Sequence, residues 1–212
     1  MPTSTDWFED VSAYRSWFYD ILSSCMRQLK NPKIWRRALI FAIPQPEKPL
    51  GDPKSYRPIS LLCVPFKIFE RLIYARVDAI IDPLLPREQV GFRRGRSTVD
   101  QVTLLTQDIK DSFSAKKAGA VFVDLTAACD TVWHRGLSRK LLQLLPDRRM
   151  VHMFMEMVSN RSFILTTGNS KSRLRRLKNG VPQGSVLAPF LFNIYIYDLP
   201  TTVSRNMHML TL

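Results

Sequence analysis

The stretch at residues 122–134, FVDLTAACDTVWH, passes from an apolar run directly to two aspartates, Asp124 and Asp130. Residues 121–123 predict a buried strand, because β-branched and aromatic side chains favour strands. A carboxylate at the end of such a strand is costly to bury unless a positive charge lies against it. Asp124 is therefore a candidate Mg²⁺ ligand, although a single acid at a strand end is by itself more typical of a turn cap. Asp130 precedes a predicted helix, which favours a structural cap.

Charge is the feature of the composition that departs most from an ordinary globular protein. Lys and Arg total 31 against 18 Asp and Glu, so the formal net charge is +13 over 212 residues. Such an excess favours a polyanionic partner, nucleic acid before membrane, because neutralising phosphates supplies most non-specific affinity. The alternative is a solvated basic surface. The length allows one large domain or two small ones.

The cysteines and the N-terminus bear on location. Cys25, Cys63 and Cys129 are scattered and form no metal-binding or redox spacing. This pattern favours a reduced intracellular protein, nuclear or cytoplasmic, and not a secreted one. No basic segment followed by an apolar run opens the chain, so no signal peptide is expected. No apolar stretch reaches about 18 residues, and we expect no membrane partner.

Hydrophobic spacing and turn signals predict helices interleaved irregularly with strands, an α+β fold. Asn31-Pro32, Asp82-Pro83 and Gly168-Asn169 are the clearest breaks. The predicted elements are a helix at 7–30, a strand within 34–44, a Pro-rich loop at 44–58, a helix at 61–81, a loop at 91–98, a helix at 100–113, the strand before Asp124, helices at about 136–145 and 150–158, a hairpin within 163–177, and a loop and helix at 180–200.

Four blocks in this order carry a resemblance: SYRPISLL (55–62), QVGFRRGRSTVDQ (89–101), FVDLTAACDTVWH (122–134) and NGVPQGSVLAPFLFNIYIYDLP (179–200). Together they resemble the reverse transcriptase domain of non-LTR retrotransposons, with wording nearest the jockey and CR1 types, over roughly residues 34–205. The resemblance implies an RNA-directed DNA polymerase of right-hand shape that uses Mg²⁺, an RNA template, a DNA primer and dNTPs. It implies a helical lead-in at 1–33, fingers at 34–118 and a partial palm at 119–212, with the antiparallel palm sheet incomplete and the thumb absent.

The same resemblance assigns roles to single positions. Asp124 falls on the first metal-binding aspartate, which makes it the candidate catalytic residue. Arg57 falls on the arginine that holds the triphosphate, a role that suits the bidentate grip of a guanidinium on phosphate oxygens. Lys48 is a candidate second phosphate contact, and a solvated loop lysine is the alternative.

Other positions concern the pocket. Gln183 and Gly184 fall on the segment that lines the nucleotide and template pocket, where glycine lets the backbone pass close to a base pair. A simple turn into a helix is the alternative. Cys129 falls where the family has a bulky aromatic side chain that excludes the ribose 2′-OH. We therefore expect altered sugar selection.

Basic side chains supply candidate contacts to the template or primer backbone. Each alone is typical of a solvated surface, and their clustering favours binding. The candidates are Arg93, Arg94, Arg96, Lys171, Arg173, Arg175, Arg176 and Lys178.

The paired aspartates of the family, Tyr-Ala-Asp-Asp, would fall near residues 209–212, where no acidic residue occurs. Two-metal phosphoryl transfer needs carboxylates that hold ions about 3.5–4 Å apart, which Asp124 alone does not provide. The first hypothesis is thus a truncated reverse transcriptase domain that is inactive alone. The alternatives are a non-catalytic nucleic-acid-binding or interaction protein, and a chain whose open sheet edges prevent stable folding.

Overall fold

The computed structural model describes residues 4–113, 125, 127–168 and 170–199. Within these residues, helices alternate irregularly with short strands, as the α+β prediction requires. Short 3-10 helices occupy Lys33–Arg36, Pro53–Ser55 and Asp82–Leu84. The α-helices are α1 (Ser4–Gln28), α2 (Val64–Ile81), α3 (Thr98–Phe113), α4 (His134–Leu144), α5 (Arg148–Val158) and α6 (Ala188–Ile196).

The described strands form one mixed sheet. Its strands are β1 (Arg37–Pro44), β2 (Tyr56–Leu61), β3 (Ser162–Thr167), β4 (Ser170–Lys171) and β5 (Arg175–Arg176). The order is β2-β1-β3-β4, and β5 also pairs with β3. β1 runs antiparallel to β2 but parallel to β3, so the sheet joins strands that are far apart in the chain.

The hydrophobic core lies between the sheet and helices α2, α4, α5 and α6. Ala38 and Ile40 of β1 are buried, whereas Leu39, Phe41 and Ile43 between and after them are exposed, which is the alternation of a sheet with one covered face. Core side chains below 2 % exposure include Phe66, Phe69, Leu137, Leu141, Phe154 and Leu191.

An ion pair joins the 3-10 helix directly before β1 to α5. The guanidinium of Arg36 donates to the carboxylate of Glu156, and both side chains are largely buried. Next to it, Trp35 packs against Phe66 and Phe69 of α2, with ring centroids 6.1 and 5.8 Å apart. The beginning of the sheet is thereby attached to two core helices.

One predicted element is wrong. The sequence predicts a loop up to residue 58 and a helix from residue 61, but residues 56–61 form strand β2. Pro58 is compatible with this strand because β2 is at the edge of the sheet, where one row of backbone groups needs no strand partner. The helix consequently begins at Val64, after the strand ends.

Several expectations are confirmed. The hairpin turns at Gly168, which has a φ of +54°, and Thr167 pairs with Ser170 across it. The other helices begin and end within a few residues of their predicted bounds. None of the described helices combines the length and the apolar character needed to cross a membrane.

Other expectations remain predictions. Asp124 with the strand before it, and the expected position of the paired aspartates, lie outside the described residues. The division into a lead-in, fingers and palm, and the absence of a thumb, likewise remain predictions. The sheet takes β1 and β2 from before residue 118 and the other three strands from after it.

Candidate nucleotide and nucleic-acid site

Residues 182–185 form a tight turn, called the PQGS turn below. The Ser185 amide donates to the Pro182 carbonyl at 3.0 Å. Gly184, the third residue of the turn, has a φ of +105°, a conformation that favours glycine and is required at this position of a type II turn. Gln183 is the second residue of the turn, directly before Gly184.

The PQGS turn is hydrogen-bonded to the edge of β2 that faces away from β1. The Ser60 amide donates to the Gln183 carbonyl at 2.8 Å. Gly184 lies so close to the same strand that an added Cβ would be 2.6 Å from the Ser60 carbonyl oxygen. A side chain at position 184 would therefore push the turn off the strand that carries Arg57.

The residues just before the PQGS turn are bonded to the segment that follows Asp124. Val181 donates to the Cys129 carbonyl, and Gly180 donates to the Val132 carbonyl, each at 2.8 Å. A Cβ on Gly180 would be 2.7 Å from the Asp130 carbonyl oxygen. The first, third and fourth sequence blocks therefore meet at this loop.

Asp130 does not have the capping role that its sequence position indicated. Helix α4 begins after Trp133 without any side-chain cap. The Asp130 carboxylate instead accepts a hydrogen bond from the Gln183 side-chain amide at 3.3 Å. Asp130 therefore orients Gln183 across the loop.

Cys129 is half-buried and packs against the hydrophobic core. Burial raises the pKa of its thiol, and the nearby charge of Asp130 raises that pKa further. A thiol in this setting is neutral near pH 7 and behaves as a small apolar side chain. Its backbone bond to Val181 places it directly beside the loop. Its predicted effect on sugar choice remains a prediction.

The two predicted phosphate contacts are exposed. Arg57 is on β2, three positions before Ser60, and is paired across the sheet with Ile43. Lys48 belongs to the connection between β1 and β2. Arg57 thus shares a strand with the residue that anchors the PQGS turn, whereas Lys48 is attached to that strand only through the connection.

The basic candidates divide into two groups. Arg94 and Arg96 are exposed in the connection before α3. The second group, called the basic hairpin below, comprises exposed residues on, between and just after β4 and β5: Lys171, Arg173, Arg175, Arg176 and Lys178.

Arg93 has a different position from the one expected of a nucleic-acid contact. Its side chain is only 6 % exposed and bonds to the Asp82 carboxylate at 2.7 Å. The same guanidinium donates to the carbonyls of Asp82, Pro86 and Gln89 at 2.7–3.0 Å. Arg93 therefore holds the connection between α2 and α3 together, and its donors face inward. The hydrogen bond with Arg93 lowers the pKa of the Asp82 carboxyl.

The second sequence block is tied to the fourth through α6. The side-chain amide of Asn193 donates to the Gly91 carbonyl at 2.7 Å, and that of Gln89 donates to the Asn193 carbonyl at 3.0 Å. Both side chains are buried. The connection that carries Arg94 and Arg96 is thus anchored to the helix that follows the PQGS turn.

Glu70 was not identified from the sequence. It is on α2, 2 % exposed, and its carboxylate accepts hydrogen bonds from the Ser185 hydroxyl and from the Val186 amide, the latter at 2.9 Å. Burial raises its pKa, against the opposing effects of these two hydrogen bonds and of the charges of Arg161 and Lys67. The available signal was an acid on the apolar face of a helix, between Phe66 and Ile73.

The described residues do not by themselves form a metal site. No group of three or more His, Cys, Asp or Glu within them could hold an ion. The predicted ligand, Asp124, lies outside the described residues. The coordination of Mg²⁺ therefore has no geometric support in the described part of the chain.

A family profile described as "Reverse transcriptase (RNA-dependent DNA polymerase)" matches residues 43–211. The chain belongs to the reverse transcriptase family. The match extends over all four sequence blocks, so the residues that meet at the PQGS turn are residues of a reverse transcriptase domain.

Similarity to individual proteins narrows the type of reverse transcriptase to that of non-LTR retrotransposons. The chain is 42% identical over 190 residues to the "Probable RNA-directed DNA polymerase from transposon BS" of Drosophila melanogaster, covering 88% of this chain and 21% of that protein. It is 37% identical over 175 residues to the "RNA-directed DNA polymerase from mobile element jockey" of the same species, covering 80% and 19%. This reverse transcriptase domain thus spans about a fifth of the length of these relatives.

Proposed function

We propose that the chain forms the incoming-nucleotide pocket and part of the primer–template surface of an RNA-directed DNA polymerase. The observation that supports this most is the set of backbone bonds at the PQGS turn, which joins β2 to the segment after Asp124. In this proposal Arg57 and Lys48 contact the triphosphate. Gln183 and Gly184 lie beside the nascent base pair, and Asp124 is a catalytic Mg²⁺ ligand.

The proposal gives the backbone of the PQGS turn a specific purpose. A base pair is recognised by its shape when a rigid wall lies against it, and a turn bonded to two other segments is such a wall. Gly184 leaves no side chain between the turn and β2. The guanidinium of Arg57 supplies paired donors that match phosphate oxygens, for which the single charge of a lysine is a weaker substitute.

Polymerisation additionally requires acidic partners for Asp124. The 212 residues contain no two adjacent aspartates. A bound Mg²⁺ would supply charge neutralisation at the triphosphate, and a pair of ions needs more than one carboxylate. We therefore expect the chain alone to bind its ligands weakly and to extend no primer.

The test of this function is a graft. The chain is extended with a Tyr-Ala-Asp-Asp hairpin and a thumb from an active relative, and DNA synthesis is measured on poly(A)/oligo(dT) with Mg²⁺. We expect no synthesis by the chain alone, synthesis by the graft, and loss of that synthesis in the Asp124→Ala graft. Synthesis by the chain alone that requires Asp124 would contradict the missing-carboxylate argument. A graft that binds primer–template yet remains inactive would contradict the proposal that these residues form the nucleotide pocket.

Sugar selection provides a second arm of the same experiment. Because Cys129 is smaller than the family's aromatic residue, the graft should incorporate ribonucleotides far better than its Cys129→Phe version. Competition between dNTP and rNTP in single-nucleotide extension measures the ratio. Equal discrimination in both grafts would show that another side chain excludes the 2′-OH.

A non-catalytic nucleic-acid-binding function is the second candidate. It is favoured by the basic hairpin, whose five cations are all exposed. No Asp or Glu occurs from residue 159 to residue 197, so no acid on this segment neutralises them. Binding to phosphate would then persist without polymerase activity, and it would depend steeply on salt.

A further inference from the structure

We propose that Glu70 is a positioning residue that sets the place of the PQGS turn against β2, a role that rests on the nucleotide pocket proposed above. In this role the Glu70 carboxylate touches no nucleotide. It holds the backbone that the nucleotide would touch.

The contacts of Glu70 are made at the point where the turn ends. One carboxylate oxygen accepts from the Ser185 hydroxyl, and the other accepts from the Val186 amide at 2.9 Å. The Ser185 hydroxyl oxygen in turn accepts from the Leu187 amide at 3.2 Å, just before α6 begins. Glu70 thereby provides acceptors for a helix start that has no side-chain cap of its own.

The PQGS turn is consequently held from two sides. On one side Ser60 of β2 donates to the Gln183 carbonyl, and on the other side Glu70 of α2 accepts from the two residues that follow Gly184. β2 ends at Leu61 and α2 begins at Val64, so both anchors come from neighbouring elements. Because Arg57 is on β2, these two anchors together set the position of the turn relative to Arg57.

A competing explanation is that Glu70 only neutralises Arg161. Arg161 is 2 % exposed, and its described side-chain hydrogen bond goes to the Met157 carbonyl. Under this explanation, Glu70→Gln is as harmful as Glu70→Met, because both remove the charge. Under the positioning role the two variants differ. Glutamine keeps an acceptor for Val186, and its amide donates to the Ser185 oxygen, whereas methionine leaves both groups without an acceptor.

The experiment is hydrogen exchange of the full chain, followed by mass spectrometry. Peptides covering residues 56–62 and 180–187 report on the turn, and a peptide covering α5 reports on the rest of the core. In Glu70→Met we expect exchange in the first two peptides to rise by about tenfold or more while α5 stays as in the wild type. Ser185→Ala should produce a smaller rise in the same peptides, and Glu70→Gln should leave them close to the wild type.

The matched control is Gln101→Met on α3, which removes the hydrogen bond that another buried side chain donates, from Gln101 to the Glu88 carbonyl at 3.0 Å. It should leave the turn peptides unchanged. The positioning role is overturned if Glu70→Met leaves these peptides as in the wild type or raises their exchange and that of α5 equally. It is also overturned if Glu70→Gln matches Glu70→Met. If Glu70→Met does not fold, Ser185→Ala decides: a rise confined to the turn supports the role, and no rise overturns it.

A titration with Mg²⁺-dNTP separates this inference from the proposed function. Nucleotide should protect the turn peptides in the wild type and bind more weakly to Glu70→Met without any change in α5. If the wild type binds no dNTP but Glu70→Met still raises exchange only in the turn peptides, the positioning role stands and the proposed nucleotide pocket is contradicted. If the wild type binds dNTP but Glu70→Met does not raise exchange specifically in the turn peptides, only the positioning role of Glu70 is contradicted.

Discussion

At Gly184 the absence of a side chain decides how closely two segments approach. Gly184→Ala would place a methyl group 2.6 Å from the Ser60 carbonyl oxygen at a φ of +105°. We expect a loss of roughly 1–3 kcal/mol in the free energy of unfolding, because the strained backbone and the clash must both be relieved. Urea denaturation measures it.

Gly51→Ala is the matched control for Gly184→Ala. No atom lies within 4 Å of where the Cβ of Gly51 would be. The same added methyl group should therefore change stability by less than about 0.5 kcal/mol. Equal losses in both variants would show that the close approach to β2 is unimportant.

The Asp82–Arg93 pair predicts a dependence of stability on pH. Since Arg93 lowers the pKa of Asp82 in the folded chain, the pair stabilises above the unfolded pKa of about 3.9 and this contribution is lost as pH falls through the folded pKa. The stability difference between the wild type and Asp82→Asn should narrow from pH 6 to pH 3. Urea midpoints across this range measure it. In an Arg93→Gln background the difference should stay nearly constant, and a persisting slope there would assign the effect to another group.

Single residues also mark the limit of sequence interpretation. The blocks around Arg57 and Gln183 can be recognised from the sequence because they match the motifs of a known family. The sequence does not give the contacts of Glu70 or the inward-facing position of Arg93, because both depend on partners such as Val186 and Asp82 that no local pattern reveals. A charged side chain such as that of Arg93 is expected at the surface from its sequence, and only the fold shows that it is buried.

At the scale of elements, the basic hairpin predicts a salt-dependent affinity. Phosphate contacts release counterions, so replacing Arg173, Arg175 and Arg176 by Ala should flatten the slope of log affinity against log salt by about 2–3 units. Fluorescence anisotropy with a labelled primer–template measures it between 50 and 200 mM salt, about the range over which such contacts weaken most.

A variant of equal charge serves as the control for the basic hairpin. Arg135, Arg139 and Arg148 are exposed on α4 and α5, and replacing them by Ala removes the same three charges. This variant should lower affinity only slightly. If the two triple variants have the same slope, the net charge binds nucleic acid and the hairpin has no special part.

Elements differed in how well their sequences predicted them. The β3–β4 hairpin was predicted because a glycine turn and alternating residues are local signals. β2 was missed because Pro58 indicates a break unless the strand is known to be at a sheet edge. Edge position is a property of the sheet, and the pairing of β1 with β3 that creates this sheet has no local signal.

At the scale of the whole molecule, the Arg36–Glu156 pair joins residues 120 positions apart. Because the sheet and core helices share such contacts, the chain should unfold in one transition, with near- and far-UV circular dichroism coinciding. Glu156→Gln should lower stability by roughly 1–3 kcal/mol, between the values for exposed and buried pairs. Two separate transitions would contradict a single cooperative unit.

The control for Glu156→Gln is Asp198→Asn. It breaks the pair between Lys140 and Asp198, in which the Asp198 side chain is 53% exposed. Its effect should be below about 1 kcal/mol. A larger loss from Asp198→Asn than from Glu156→Gln would show that the long-range pair contributes little.

The parallel pairing of β1 with β3 also has a consequence during synthesis on the ribosome. β1 and β2 leave the exit tunnel while β3 is still untranslated, and at about 5–20 residues per second this interval lasts on the order of ten seconds. Throughout it the inner edge of β1 presents unpaired amides and carbonyls that a strand of another nascent chain could occupy. Neighbouring chains on one messenger are therefore the natural competitors of β3, and holding them apart is a task for chaperones on the ribosome.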